Sequence, residues 1–421
     1  VCYYDCTNYY CEAESADEEY TDPITGEVLT GLRQYGLAKD HKPNPLVEMG
    51  LFMDTNGIPI SMCITPGNAN EQTTVLPLEK ELIRMFGDKK NKFIYCADAG
   101  LGSYHIRSYN AMGGRAFIVT QSIKKLSDKL KEAVFNDFEY KLLSDETPVS
   151  IEAMKQFDKA DPKNLALYRD TAYKVIDADT LMDVGLSEEK VFANGKKRNV
   201  KSKAVLKQHV IITFSRKSFE YQRFIRNRQI ERAKKILENL EPDEYKKGPN
   251  DVTRFIKKAS DSKAQYEIDY EKIAEEEKYD GFYAIATNLN DEAKEILAIN
   301  AQRYKIEECF RILKNDFISR PYFHRTRKRI IAHFMICYTA LLIYRLLEVK
   351  LNRYDKNQHF TTRNIIETLQ NMEVANIGDL YYSAQYTGSQ VLNALEACFQ
   401  LGLNRKYYLP KNLNAICRKK V

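Results

Sequence analysis

The dipeptide Asn56-Gly57 lies between two apolar runs, residues 47–54 and 58–64, and constrains the fold more than any other feature of this sequence. Asn and Gly both tolerate the left-handed backbone of a type I′ turn, so this pair between apolar runs predicts a β-hairpin. An earlier strand-like segment, residues 1–5, ends in Asp5. The sequence therefore predicts three antiparallel strands at the start of the chain.

A helix and two further strands follow the hairpin. Asn68 with Glu71 three residues later fits a capping box, which predicts the start of a helix. Residues 93–96 form an apolar strand that leads into Asp98, a helix is predicted at 103–112, and another strand at 116–120. Antiparallel strands followed by parallel strands with crossover helices are the order of a ribonuclease-H-like core. The predicted fold class is α/β, with a mixed sheet flanked by helices.

The apolar pattern changes after Thr120 and resumes at residue 280. The intervening stretch is rich in lysine, with a strand-like segment at 210–214 and an amphipathic helix at 225–240. We interpret it as a large domain inserted into the core. The predicted domains are the core in two parts, residues 1–120 and 280–350, the inserted domain at 121–279, and a helical C-terminal tail at 351–421.

Positive charge is concentrated in one window. The whole chain has 64 Lys and Arg against 58 Asp and Glu, a net charge of +6. Residues 301–330 alone hold nine basic and three acidic residues. A basic window of this kind favours a polyanionic partner.

Cysteine usage and hydropathy limit the compartment and exclude some classes of site. The nine cysteines include no CxxC pair, which indicates a reducing compartment and argues against a structural zinc site. The longest apolar run, residues 334–344, is too short to span a bilayer, so we expect a buried helix and no membrane partner. The chain starts at Val1, without Met and within a strand, so we expect an N-terminal part to be missing.

Residues 303–314 predict one amphipathic helix with a carboxylate among cations. The apolar positions recur at helical spacing and form one buried stripe: Ile306, Phe310, Leu313 and Phe317. The charged positions line up beside that stripe: Arg303, Glu307, Arg311 and Lys314. Glu308 is rotated by about 100° and points elsewhere. Taken alone, this pattern is typical of a solvated helix face with weak ion pairs.

The acids Asp5 and Asp98 change that interpretation, because each follows an apolar strand. In the predicted topology these strands are neighbours, and two carboxylates held close together favour a bridging cation. Carboxylate oxygens suit Mg²⁺ or Mn²⁺. A third carboxylate, Glu307, on a helix packed across the sheet could complete a two-metal site for in-line phosphoryl displacement.

Six segments resemble, in order, the motifs of bacterial insertion-sequence DDE transposases, in the subgroup with an insertion domain before the catalytic glutamate. They are YDCTNYY, GLAKDHKPNPLVEMGLFMDTNGIPI, ITPGNANEQTT, YCADAGL, YDGFYAIATN and RYKIEECFRILK. The resemblance covers residues 1 to about 347 and implies that Asp5, Asp98 and Glu307 are the catalytic, metal-binding residues. The family signature is Tyr-x2-Arg-x3-Glu-x6-Lys. Its Tyr position is Asn300 here, and Tyr304 is the candidate to compensate.

The resemblance implies Mg²⁺- or Mn²⁺-dependent cleavage at transposon ends and strand transfer into target DNA, with two ions and no covalent protein–DNA intermediate. It also implies a homodimer that pairs two transposon ends, in the bacterial cytoplasm and associated with the nucleoid. The candidate DNA-binding residues are Arg303, Arg311, Lys314, Arg325, Arg327, Lys328, Arg329, Lys39 and His41. For Lys39 and His41, a plain surface loop is an equally good interpretation.

Two other functions remain open from the sequence. A ribonuclease-H-fold nuclease or resolvase would use the same three acids without strand transfer. A catalytically silent DNA-binding relic of a transposase would not need them, and the intact Asp5, Asp98 and Glu307 argue against it. We expect an additional DNA-binding region in the missing N-terminal part.

Overall fold

The computed structural model describes residues 1–21, 24, 26–86, 93–156, 160–192, 196–238, 251–259, 266–354 and 359–419. The chain divides into two compact units. The first unit combines Val1–Asp88 with Gln302–Val421, and the second is Lys89–Ala301. Both units mix helices with strands, as the predicted α/β class requires.

The first unit begins with an antiparallel sheet in which one strand pairs with two neighbours. Its elements are β1 (Cys2–Tyr10), β2 (Tyr20–Thr21), β3 (Val28–Leu29), β4 (Leu46–Met53), β5 (Pro59–Pro66) and α1 (Glu71–Phe86). Strand β4 is fully buried and lies between β1 and β5. The turn between β4 and β5 is held by Asp54, whose Oδ1 accepts the N–H groups of Asn56 (2.9 Å) and Ile58 (2.8 Å). The predicted hairpin is therefore confirmed.

Two predicted boundaries in this part are wrong. Strand β1 does not end at Asp5 but continues to Tyr10, because residues beyond Asp5 pair with β4 as far as Tyr10↔Leu46. Asp5 therefore lies in the middle of a strand, opposite Leu51. Helix α1 does not begin after Asn68. Its first turn is capped by Asn70, whose Oδ1 accepts the N–H of Gln72 at 3.0 Å.

The second unit is built on a mixed sheet. Its elements are β6 (Ile94–Ala97), α2 (Tyr104–Tyr109), β7 (Ala116–Thr120), α3 (Asp128–Phe135), β8 (Lys141–Leu142), α4 (Ile151–Gln156), α5 (Leu165–Arg169), β9 (Ala172–Val191), β10 (Lys197–Phe214), α6 (Arg216–Glu238), β11 (Ile256–Lys258), β12 (Tyr266–Ile268), α7 (Tyr270–Glu277), β13 (Phe282–Thr287) and α8 (Ala293–Ala301). The sheet order is β6-β7-β13-β10-β9-β8. Strands β6 and β7 are parallel, joined through α2 as predicted, and the other pairs are antiparallel.

The long strands β9 and β10 come from the stretch predicted to be an inserted domain. Strand β10 pairs with β13 from His209↔Thr287 to Phe214↔Phe282, so this stretch contributes to the main sheet of the unit. A separate small core lies around Phe255, where Ala233 of α6 packs with residues of β11, β12 and α7. The boundaries of the two compact units, after residues 88 and 301, differ from those of the predicted domains, after residues 120, 279 and 350. The domain boundaries stay a prediction.

The second part of the first unit begins with the helix that carries Glu307 and Glu308. Its elements are α9 (Tyr304–Arg311), a π-helical segment (Ile312–Asp316), α10 (Arg327–Tyr354), α11 (Thr362–Gln370), β14 (Val374–Ile377), β15 (Tyr381–Ala384), α12 (Gln390–Phe399), β16 (Tyr407–Tyr408) and α13 (Pro410–Arg418). The tail that was predicted to be helical contains the helices α11, α12 and α13, but it also contains an antiparallel sheet of β14, β15 and β16. Gly378 and Asp379, both at positive φ (56° and 58°), make the turn between β14 and β15.

Helix α10 is long and apolar enough, by length and composition, to cross a membrane. The sequence prediction considered only the uninterrupted apolar run, which is shorter than the helix. One face of α10 is buried in the first unit, including Phe334, Leu341, Arg345 and Glu348. Core helices of globular proteins meet the same criterion, so length and composition are weak evidence for a membrane span.

Candidate functional site

Asp5 is held on β1 in a largely buried position. Its Oδ1 accepts the N–H of Cys6 at 2.8 Å. Burial raises the pKa of the Asp5 carboxyl to about 6, against the lowering effects of the Cys6 hydrogen bond and of the positive charges of Lys39 and Arg303. Asp5 is therefore a carboxyl group whose protonation changes close to neutral pH.

Lys39 is the main counter-ion beside Asp5. Its ammonium group lies 3.1 Å from Glu71 Oε1 and donates to the carbonyl oxygen of Cys6 at 2.6 Å. Glu48, on β4, is only 4% exposed, and burial together with the nearby Glu71 carboxyl raises its pKa. Three carboxyl groups thus lie around one ammonium group.

Lys39 was predicted from the sequence as a DNA-binding residue, whereas Glu48 and Glu71 were not predicted to lie beside it. The available signal for Glu48 was an acid inside the otherwise apolar run LVEMGLFM of β4. Glu71 was assigned only to a helix cap. The contacts of Lys39 inside the first unit explain its position without DNA, and its DNA-binding role stays a prediction.

Helix α9 brings Glu307 to the neighbourhood of β1, because α9 packs against that strand. Arg303 is the N-cap residue of α9, and its positive charge acts on Asp5. Glu307 is exposed, whereas Glu308 is half-buried and accepts from Arg345 at 3.1 Å. The two adjacent glutamates therefore face different surroundings, as the helical phasing predicted.

A helix is present where one was predicted over residues 303–314, but its C-terminal part is π-helical. Arg303 caps the helix, and α9 ends at Arg311, where the chain widens into the π-helical segment. A π turn contains an extra residue and changes the phase of the side chains that follow it. Lys314 consequently points inward. Its side chain is 11% exposed, 4.0 Å from Asp40, and burial lowers its pKa to about 8.

Most other predicted DNA-binding residues lie on the surface of the first unit. The following are exposed: His41, Arg311, Arg325, Arg327, Lys328 and Arg329. Arg327, Lys328 and Arg329 form the first turn of α10, where the helix dipole disfavours cations. Three exposed cations thus lie at the positive end of this helix, a placement that the helix dipole does not favour.

Asp98 belongs to the second unit. It follows β6 directly, as predicted, and its Oδ1 accepts the N–H of Ala99 at 2.7 Å, capping a short 3₁₀ turn. Asn300, at the Tyr position of the family signature, is also in the second unit and donates to the hydroxyl of Tyr283 at 3.3 Å. Tyr304 is exposed in the first unit, beside the cavity that Glu308 lines.

The predicted metal ligands are divided between the two units. Among the residues that the structure describes, no group of three or more His, Cys, Asp or Glu side chains is arranged to hold a metal ion. Asp5 and Glu307 belong to the first unit and Asp98 to the second, and their carboxylate oxygens are of the kind that Mg²⁺ and Mn²⁺ prefer. The two-ion site and the convergence of the three acids stay predictions.

The raised pKa of Asp5 predicts a pH-dependent stability. A carboxyl whose pKa rises from 3.8 in the unfolded chain to about 6 in the fold stabilises the fold below pH 4. That contribution is lost as the pH rises through 6. We expect Asp5→Asn to be more stable than the wild type by about 2–3 kcal/mol at pH 7.5 and not at pH 4. Urea unfolding in EDTA at both pH values measures this difference.

Glu81→Gln is the matched control, because Glu81 is an exposed acid on α1 of the same unit. Its stability relative to the wild type should change little between the two pH values. An Asp5→Asn variant that gains no stability at the higher pH would show that the buried carboxyl is not strained when it ionises.

No protein-family model and no curated protein matches the chain. Among solved structures, the chain is similar to one titled "Cryo-EM structure of piggyBac transposase synaptic complex with hairpin DNA (SNHP)", with a TM-score of 0.37 and 8% sequence identity. The similarity covers 100% of this chain and 58% of that chain, so this chain spans a little over half of its length. At this TM-score and identity the similarity carries no conclusion about function.

Proposed function

We propose that this chain is a DDE transposase of the insertion-sequence type, which cuts DNA at transposon ends and joins those ends to target DNA. In this proposal Asp5, Asp98 and Glu307 are the catalytic acids. The observation that carries it is the placement of the Glu307 helix against the strand of Asp5, with Arg303 acting on the Asp5 carboxyl. The six ordered sequence motifs support the same assignment.

The residues around Asp5 suit chemistry on a phosphodiester. Arg303, at the start of α9, would attract a phosphate toward the Glu307 side of the helix. The exposed cations of the first turn of α10 would bind the duplex backbone without reading its sequence. Lys39 would hold the carboxyl groups of Asp5 and Glu71 in place, because it already bridges β1 and α1.

The cofactor, partners and location follow from the resemblance and are part of the proposal. Two Mg²⁺ or Mn²⁺ ions would be bound by the carboxylates of Asp5, Asp98 and Glu307. The partners would be transposon-end DNA, target DNA and a second copy of the chain. The proposed location is the bacterial cytoplasm, at the nucleoid.

A cleavage-and-joining assay tests this function. The substrate is a plasmid in which the DNA flanking the coding segment supplies the transposon ends, incubated with Mg²⁺ and a target plasmid. We expect the wild type to form both cut ends and joined products, and Asp98→Asn to reduce both at least about 100-fold. Asp128→Asn, on exposed α3 of the same unit, is the matched control and should retain activity.

The assay separates the proposal from its alternatives. If cut ends form without joined products, the chain is a ribonuclease-H-fold nuclease or resolvase and not a transposase. If the chain binds the ends specifically but forms neither product, it is a catalytically silent DNA-binding relic.

A further inference from the structure

A cavity of about 420 Å³ lies on the Glu308 side of α9, within the first unit. Its volume is in the range of cavities that bind small ligands. Five cations and two carboxylates are among its lining residues: Lys305, Arg311, Arg345, Arg353, Arg363, Glu308 and Glu348.

The charges of this cavity do not cancel. Both carboxylates are bound by the same cation, because Arg345 Nη1 lies 3.1 Å from Glu308 and 2.5 Å from Glu348. Burial, and after it the Arg345 charge, lower the pKa of Lys305 against the opposing effects of Asp54, Glu308 and Glu348. Arg353 is exposed and forms no ion pair among the residues that the structure describes. Arg353 is therefore the cation most available to an anion. Lys305 Nζ donates to the carbonyl oxygen of Thr55 at 2.8 Å and has two further N–H groups for an anion.

The first turn of α11 adds to this positive potential. Thr361, Thr362 and Arg363 line the cavity at the N-terminal end of the helix. The helix dipole places partial positive charge at that end, where anions are favoured. A helix terminus and a set of cations thus converge on one cavity.

Tyr304 supplies an aromatic ring at the same cavity. It is 57% exposed and lines the cavity together with Lys305. An exposed aromatic ring beside cations is the combination that binds a nucleotide of a single strand, with the base on the ring and the phosphate on the cations. Asn56, at the tip of the β4–β5 hairpin, adds a neutral hydrogen-bonding group.

We propose that this cavity binds a nucleotide unit of a DNA strand, with its base on Tyr304 and its phosphate on Lys305 and Arg353. Tyr304, Lys305 and Glu308 of α9 line the cavity, whereas Glu307 does not. DNA as the source of the nucleotide rests on the proposed function. The cavity by itself indicates a nucleotide, whose phosphate suits the cations and whose base suits the ring of Tyr304.

Fluorescence anisotropy with a labelled ten-nucleotide oligothymidylate, in EDTA, tests the proposal without any cleavage. We expect Arg353→Gln to weaken binding about three- to tenfold and Tyr304→Ala at least about fivefold. Tyr304→Phe should restore near-normal affinity, because the ring and not the hydroxyl supports the base. Arg84→Gln, an exposed arginine on α1 outside the cavity, is the matched control and should change affinity less than about twofold.

Each result has a defined meaning. Unchanged affinity in both Arg353→Gln and Tyr304→Ala, with unchanged melting temperatures, would overturn the site. Thymidine monophosphate should compete at least about tenfold less well than the unlabelled oligonucleotide. Equal competition would overturn the assignment to a strand. The expected pattern with no DNA cleavage in the joining assay would support the cavity and reject the transposase activity.

Discussion

Glu307→Gln is expected to reduce DNA cleavage at least about 100-fold while leaving the stability of the chain within about 0.5 kcal/mol of the wild type. Glu307 is exposed on α9, so the amide costs the fold little. In the proposed function its negative charge is required for the reaction, and the amide removes that charge without changing the shape of the side chain. Cleavage rates and urea unfolding of the same preparations measure the two effects.

Glu308→Gln is the matched comparison, because it changes the adjacent residue in the same way. Glu308 accepts from Arg345, so its loss should destabilise the chain by about 1–2 kcal/mol through a weaker charge-assisted hydrogen bond. Its cleavage rate should fall less than about threefold. A larger loss of cleavage in Glu308→Gln than in Glu307→Gln would assign the catalytic role to the other face of α9.

Arg345→Met is expected to destabilise the first unit by about 3–5 kcal/mol, the largest effect that we predict on stability. Arg345 is 2% exposed on α10 and donates from Nε to the carbonyl oxygen of Gly57 at 2.9 Å. It also binds Glu308 and Glu348, which its loss would leave without their buried cation. Removing one member of a buried ion pair costs more than the pair itself contributes. Urea or thermal unfolding measures this cost.

Two further variants make the result interpretable. Arg353→Met removes an exposed arginine from the same helix and should cost less than about 0.5 kcal/mol. The double variant Arg345→Met with Glu348→Met should recover part of the lost stability, because the more deeply buried of the two carboxylates is then not left without its cation. Equal costs for Arg345→Met and Arg353→Met would mean that the buried ion pairs do not stabilise this unit.

Features of the fold that depend on local sequence could be predicted. The β4–β5 hairpin is specified by Asn56-Gly57 and by the apolar runs on both sides. Asp98 was placed correctly after β6 because a short apolar strand ends at that point. The β14–β15 hairpin also had a local signal, Gly378 followed by Asp379, which the interpretation of the tail as helical overlooked.

Features that depend on distant residues could not be predicted. Strand β1 extends past Asp5 because it pairs with β4, about forty residues later in the chain. The cluster around Lys39 joins β1, β4 and α1, and no periodicity within one segment indicates it. The π-helical segment Ile312–Asp316 likewise has no local signal, because the apolar spacing of the sequence is that of a continuous α-helix.

The two-stranded ribbon of β9 and β10 has a consequence for the solubility of the chain. Strand β10 pairs with β13 only from His209 onward, so residues 197–207 are paired only with β9 among the described residues. Unpaired strand edges of this length invite edge-to-edge association between molecules, which lysine side chains discourage by charge repulsion. This part of β10 carries Lys197, Lys203 and Lys207. Their positive charges therefore discourage aggregation of the protein through this strand.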